Sequence, residues 1–111
     1  MKHASLVALI ALSLLPVATS RAEDLQTFTL LLKARRFAPA EPHVPAGKPF
    51  FLVVSNQEDT PDEFEMRSPP LEKVILPGSE GRVRLRPLAP GRFTFFDDFH
   101  PETAQGVVVA E

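Results

Sequence analysis

Two short segments concentrate the residues that could do chemistry, and each follows a strongly apolar run. The first, "NQEDTPDEFEMR", comes directly after "FFLVVS", and the second, "DDFHPE", comes directly after "FTFF". Carboxylate, imidazole and thioether groups are all metal ligands in proteins. The candidate ligands in these two segments are Glu63, Glu65, Met66, Asp97, Asp98, His100 and Glu102.

The chemistry of this ligand set indicates the kind of ion. Carboxylates are hard ligands and imidazole is borderline, and the chain has no cysteine to supply a thiolate. Such a set suits Fe(II), Fe(III), Mn(II), Zn(II) or Cu(II) better than Cu(I). Met66 would add affinity for copper, but a methionine here is also typical of a core position. His100, at the end of a strand, fits equally well as a hydrogen-bonding surface group.

The alternation of side chains along an extended chain sharpens the choice among these residues. In "DEFEMR", an inward Phe64 places Glu63 and Glu65 on the opposite face of the strand. In "FFDDFH", an inward Phe95 places Asp97 on the core side, at the rim of the core. A carboxylate in that position is costly unless it is paired or bound to a metal. If the two apolar strands, "FFLVVS" and "FTFF", end at the same pole of the domain, these acids and His100 form a metal site.

The remainder of the chain predicts the strands that must position these residues. Twelve prolines divide the sequence into short pieces, and no window between them carries a helical period of apolar residues. Apolar or alternating runs such as "KPFFLVVSN", "GRVRLRPL" and "GRFTFFDDF" are bounded by Gly/Pro turns. We therefore predict six or seven strands in one all-β domain, a Greek-key antiparallel sandwich.

Residues 1–22 are typical of a secretory signal peptide. A basic start at Lys2 leads into the apolar run "ASLVALIALSLLPVA", and small residues suit cleavage after Ala22. Cleavage after Ser20 and an uncleaved membrane anchor are the alternatives. We therefore expect an exported domain at 23–111. Loss of Lys2 and Arg21 would take the net charge from −2 to −4. An acidic domain argues against nucleic acid or an anionic membrane as partner and is compatible with cations.

Arginines alternate with apolar residues in "GRVRLRPL", so that Arg82, Arg84 and Arg86 share one face of a strand. This pattern is typical of a solvated sheet face that guards an edge against unwanted pairing. The same three guanidinium groups could also dock an acidic partner.

Catalytic functions find little support in the sequence. It contains no nucleophile elbow and no phosphate-binding loop. Paired carboxylates can hydrolyse glycosides, but a domain of about 90 residues leaves little room for a sugar cleft.

Two longer segments resemble the cupredoxin-like domains. "RFAPAEPHVPAGKPFFLVVSNQ" is similar to their opening strands, and "PGRFTFFDDFHPETAQGVVVAE" is similar to their last two strands. The pair "EFE" and "FFDDFH" resembles in particular the periplasmic cupredoxin-like proteins that accompany bacterial high-affinity iron permeases. The resemblance covers nearly all of 36–111.

This resemblance implies a cupredoxin fold and a metal-handling accessory role in the periplasm. It places Glu63 at the first histidine of blue-copper proteins, Asp97 at their cysteine and His100 at their second histidine. The thiolate bond that defines a blue-copper centre is then absent. The resemblance implies an iron or copper ion as ligand, Asp98 and Glu102 as supporting carboxylates, and an inner-membrane iron permease or another periplasmic uptake protein as partner. A cupredoxin-derived interaction module without metal, and a redox enzyme, remain alternatives.

Overall fold

The computed structural model describes residues 3–5, 7–15 and 24–111. Residues 3–5 and 7–15 belong to no helix or strand. Across the described ranges, no helix has both the length and the apolar character needed to cross a membrane. The predicted cleavage site after Ala22 lies outside the described residues, so the signal peptide and the domain boundary remain predictions.

All regular secondary structure in residues 24–111 is β-structure, as the short apolar runs between prolines predicted. The strands are β1 (Gln26–Lys33), β2 (Arg36–Ala38), β3 (His43–Val44), β4 (Phe50–Asn56), β5 (Asp62–Arg67), β6 (Pro70–Ile75), β7 (Glu80–Leu85), β8 (Gly91–Asp97) and β9 (Gln105–Ala110). Strands β2 and β3 have only three and two residues. Runs that short carry no apolar pattern, which is why the sequence did not predict them.

Two sheets enclose one core and form the predicted sandwich. One sheet has the strand order β2-β1-β4-β7 and the other β3-β9-β8-β5-β6. Most neighbours are antiparallel, as predicted, but β1 pairs with β4 and β3 pairs with β9 in parallel. The first parallel pair arises because the chain turns back along β1 as β2, crosses to the other sheet as β3, and re-enters the first sheet as β4 in the direction of β1.

Alternate residues of each strand fill the core between the sheets. The predicted inward orientation of Phe64 and Phe95 is confirmed, since each is 1% exposed. Their ring centroids lie 5.4 Å apart, and Phe37 packs edge-on against Phe95 at 5.0 Å. Burial of one such ring contributes about 1.5–3 kcal/mol. This aromatic group therefore fixes β5 against β8, the two strands that carry the candidate ligands.

Asn56, the last residue of β4, connects the loops at the same end of the domain. Its buried amide nitrogen donates to the carbonyl oxygens of Thr60 at 2.9 Å and Ile75 at 3.0 Å. Its amide oxygen accepts from the N–H of Glu58 at 2.9 Å. These bonds hold the loop between β4 and β5 against the end of β6, and so define where β5 begins at Asp62.

Candidate metal centre

Asp97, the last residue of β8, has a fully buried carboxylate, as its predicted position at the rim of the core required. Its Oδ1 accepts hydrogen bonds from the backbone N–H groups of Glu63 and Phe99, each at 3.0 Å. Its Oδ2 is buried without a hydrogen-bond partner. Because an ionised oxygen in that state is costly, a cation beside Oδ2 would stabilise the folded chain.

Asp62, the first residue of β5, is also fully buried. Neither of its two carboxylate oxygens has a hydrogen-bond partner. Phe64, two residues further on, is the register partner of Asp97. Since side chains two apart on a strand share a face, Asp62 and Asp97 project on the same inner side of their sheet.

His100 completes this group from the turn that follows β8. Its backbone N–H donates to the carbonyl of Asp97 at 3.0 Å, and its own carbonyl accepts from Ala104 at 3.0 Å. Its Nε2 lies 3.8 Å from Oδ1 of Asp62, too far for a hydrogen bond. The imidazole is 26% exposed, so it forms the solvent side of the group.

We call Asp62, Asp97 and His100 the inner cluster. One ligand atom from each residue lies within 4.8 Å of the others. Three oxygen or nitrogen ligands spaced evenly around one ion, each about 2.0–2.2 Å from it, are about 3.5–3.8 Å apart. The three side chains would therefore have to approach one another by up to about 1 Å to share an ion.

The electrostatics of the inner cluster disfavour two bare negative charges. Burial first, then the hydrogen bond that a protonated Asp62 would donate to Asp97, and then the negative charges of Asp97 and Glu58 raise the pKa of Asp62 from 3.8 to about 7, against an opposing effect of Arg35. Near neutral pH the carboxyl group of Asp62 in the metal-free protein is therefore about half protonated. A divalent cation bound by Asp62 would displace that proton.

This donor set excludes one kind of metal site and suits another. With no cysteine in the chain, the thiolate of a blue-copper site is missing, and Cu(I) lacks its preferred sulfur ligand. Two carboxylates and one imidazole, with buried oxygens that have no other partner, fit Cu(II), Fe(II), Mn(II) or Zn(II). The inner cluster could therefore hold one of these ions.

Two of the predicted ligands, Glu63 and Glu65, lie on the other face of β5. With Glu72, the register partner of Glu65 on β6, they form what we call the outer cluster. The pKa values of Glu63 and Glu65 are raised by burial first and then by neighbouring acids, chiefly Glu72 and Asp98. The structure therefore brings Asp97 and His100 together but separates them from the side chains of Glu63 and Glu65.

The remaining predicted site residues lie in three different settings. Met66 is 1% exposed and belongs to the hydrophobic core. Asp98 is exposed, and its backbone N–H donates to the carbonyl of Glu63 at 2.9 Å. Glu102 is exposed in the turn that carries His100. None of these three residues belongs to the inner cluster.

Asp62 is the member of the inner cluster that sequence reasoning missed. The signal was nevertheless present, because Asp62 has the same parity as Phe64 and Met66 in the alternating strand. An inward Phe64 therefore predicts an inward Asp62. The resemblance drew attention to Glu63 instead, one residue further along the chain.

Comparison with known protein families gives a match over almost the whole chain. A family model described as "Cupredoxin-like domain" matches residues 5–110. The uncharacterized protein RP394 of Rickettsia prowazekii (strain Madrid E) is 35% identical over 80 residues, which are 72% of this chain and 64% of that protein. The chain thus spans slightly less than two thirds of the length of this curated relative.

Solved structures resemble the chain at low sequence identity. The metal-binding domain of the Cu(I)-exporting P-type ATPase CopA of Streptococcus pneumoniae D39, determined with Cu(I), gives a TM-score of 0.68 at 16% identity, covering 83% of this chain and 91% of that one. Auracyanin A, a "blue" copper protein of Chloroflexus aurantiacus, gives 0.67 at 13% identity, covering 77% and 98%. At such identities the likeness shows the fold alone. The sandwich topology and the family match over residues 5–110 lead to the same conclusion: this chain belongs to the cupredoxin-like domain family.

Proposed function

We propose that this chain is an exported, periplasmic metal-binding protein that holds a divalent ion in the inner cluster. The observation that carries the proposal is a set of three buried carboxylate oxygens without hydrogen-bond partners, two on Asp62 and one on Asp97, beside the imidazole of His100. Buried polar atoms in folded proteins nearly always have a partner. A bound cation supplies that partner to all three oxygens at once.

The donor set and the family together favour Cu(II), with Fe(II) as the second candidate. Divalent copper binds most nitrogen and oxygen sites more tightly than divalent iron does. Copper is also the metal of the CopA domain and of auracyanin A. Iron is supported by the two hard carboxylates and by the resemblance of "EFE" and "FFDDFH" to permease-associated proteins.

Two features support a role in metal uptake as part of this proposal: the architecture of the inner cluster and the N-terminal sequence. The signal-like segment at 1–22 supports export to the periplasm. Three protein ligands leave part of the coordination of an ion open, and His100, the partly exposed member, lies on the solvent side. This arrangement suits an accessory protein that presents its ion to another periplasmic uptake protein or, if the ion is Fe(II), to an inner-membrane iron permease.

Calorimetric titration of the purified protein with Cu(II), Zn(II) and, without oxygen, Fe(II) tests this proposal. We expect one ion per chain, and an affinity lower by at least about 100-fold in Asp62→Asn/Asp97→Asn. The matched control is Glu63→Gln/Glu65→Gln, which removes the same two charges from the outer cluster and should stay within about threefold of the native affinity. Absence of binding by the native protein would favour the interaction module without metal.

A further inference from the structure

Strand β7 lies at an edge of its sheet and carries charges that the proposed metal site does not use. In the described part of the chain β7 hydrogen-bonds to β4 alone, so its other edge has no strand partner. Arg82 and Arg84 on this strand, and Arg86 just beyond it, are exposed. None of the ion pairs within residues 24–111 involves these three arginines.

Arg82, Arg84 and Arg86, which we call the arginine row, are partly fixed in place. The guanidinium carbon of Arg82 lies 3.9 Å from the ring centroid of Phe51 on the neighbouring strand. A guanidinium stacked on an aromatic ring keeps its N–H groups available at its edge. Because part of the ordering is already done, binding a carboxylate there costs less conformational entropy.

A cavity borders the same edge at one end of β7. It has a volume of about 290 Å³ and is lined by Pro69, Pro70, Leu71, Arg84, Leu85 and Arg86. The C-terminal half of β7 with the residue that follows it, 83–86, is the part of the edge beside this cavity.

We propose that a partner protein adds an extended acidic segment to the free edge of β7. Strand addition would satisfy the unpaired backbone groups of β7. Alternate side chains of a strand share a face about 6.6 Å apart, so acids at every second position match the spacing of Arg82 and Arg84. Each arginine can bind a carboxylate through two N–H groups, while an apolar side chain of the segment enters the cavity.

The arginine row also disfavours pairing with other strands, because its charge opposes basic segments and gives neutral ones no carboxylate contact at the open edge. A lipid surface provides neither a backbone for the edge nor a side chain for the cavity. Across the four strands of this sheet only Leu31, 41% exposed, offers a strongly exposed large apolar side chain to a membrane. An acidic protein segment is therefore the occupant that fits both the edge and the charges.

The probe is a peptide of roughly ten residues, the length of a long strand, in which glutamate alternates with threonine and one central threonine is replaced by valine for the cavity. Titrated into the purified ¹⁵N-labelled protein, it should shift the amide signals of 83–86 and slow hydrogen exchange at those N–H groups in this range that face the free edge, which is every second one. A peptide of the same composition with its glutamates in one block should bind at least about fivefold more weakly, since its spacing does not match the arginines.

Two matched charge reversals separate a site on β7 from a general effect of charge. Arg84→Glu/Arg86→Glu leaves the Arg82–Phe51 stack intact and should weaken binding by at least about tenfold. Lys33→Glu/Arg36→Glu reverses two charges at the opposite edge of the same sheet, where these residues pair, and should change the affinity by no more than about twofold. Arg84→Lys/Arg86→Lys keeps the charge and loses the paired N–H groups, so its affinity should be intermediate.

Several results would overturn the proposal. These are equal losses in both charge-reversal variants, signal shifts without slower exchange at 83–86, and no preference for the alternating peptide. Binding of phosphatidylglycerol vesicles that depends on Arg84 and Arg86 in place of peptide binding would identify a membrane instead. Self-association of the protein that is lost in Arg84→Glu/Arg86→Glu would identify a second copy.

Discussion

Asp62 and Glu63 are neighbours in the sequence, yet they belong to two carboxylate groups with opposite properties. The inner cluster is buried, and three of its carboxylate oxygens have no hydrogen-bond partner. The outer cluster lies on the other face of β5, where its members are half-buried or exposed. The strand face on which an acid lies, and not the number of acids nearby, therefore decides whether its charge must be compensated by a proton or a cation.

Solvent explains the difference between the two clusters. In the outer cluster mutual repulsion and partial burial raise the pKa values of Glu63 and Glu65, but water still solvates and screens these carboxylates. In the inner cluster no water reaches Asp62 or Asp97, which are 0% exposed. Only a proton or a metal ion can compensate the charge there.

Among these replacements, that of Asp97 should reduce metal binding by the inner cluster the most. Asp97→Asn keeps an oxygen for the N–H groups of Glu63 and Phe99 but removes the charge. We expect the metal affinity to fall by at least about 100-fold, with no loss of stability in the metal-free protein. Asp97→Ala should lose the same affinity and also destabilise the metal-free fold by about 2 kcal/mol, because two N–H groups lose their acceptor. Calorimetry and urea unfolding measure the two effects, and native affinity in Asp97→Asn would contradict the assignment.

The pH dependence of stability should differ between the native protein and Asp62→Asn. Between pH 3.8 and about 7 Asp62 ionises in the unfolded chain but stays protonated in the metal-free fold, because its folded pKa is raised. The unfolded state then binds fewer protons, so the free energy of unfolding falls as the pH rises through this range and levels off above it. In Asp62→Asn this fall of the unfolding free energy should be smaller than in the native protein, with a difference of a few kcal/mol between the two. Urea unfolding at a series of pH values tests this, and parallel curves for the two proteins would count against it.

Replacing His100 with Ala tests the contribution to metal binding of the one residue of the inner cluster that reaches solvent. We expect the metal affinity to fall about tenfold, because one of three ligands is lost. The unfolding free energy should change by less than about 0.5 kcal/mol, as for most partly exposed side chains. His43→Ala is the matched control, since His43 pairs with Glu111 and should leave the affinity unchanged. Equal affinity for native protein and His100→Ala would remove His100 from the site.

Removing charge from the outer cluster should have the smallest effect on metal affinity and on stability. In Glu63→Gln/Glu65→Gln we expect the urea midpoint to rise slightly, because repulsion among Glu63, Glu65 and Glu72 is relieved. Metal affinity should stay within about threefold of the native value. If the affinity instead falls as far as in Asp97→Asn, the two clusters have been assigned the wrong roles.

Much of the fold could be predicted from the sequence because its signals are local. Prolines and alternating apolar residues indicated short strands, and the period of two placed Phe64, Phe95 and Asp97 on the inner side. The short strands β2 and β3 and the two parallel pairings could not be predicted, because they depend on contacts between distant parts of the chain. The edge position of β7 is likewise a property of the assembled sheet.

The candidate site was predictable only in part for the same reason. Asp97 and His100 lie close in sequence at the end of one strand, so one turn brings them together. The third member of the inner cluster lies on another strand, β5. Along that strand, moving the assignment by one residue exchanges the buried Asp62 for the outward Glu63. The alternation from Phe64 contained this information, while the resemblance to a family pattern pointed to the neighbouring residue.

The most direct test of metal binding by the inner cluster is an anomalous difference map from crystals of the protein grown with Cu(II). We predict a single strong peak between the carboxylates of Asp62 and Asp97 and Nε2 of His100. A peak at the outer cluster of Glu63, Glu65 and Glu72, with none among the three inner residues, would contradict that assignment.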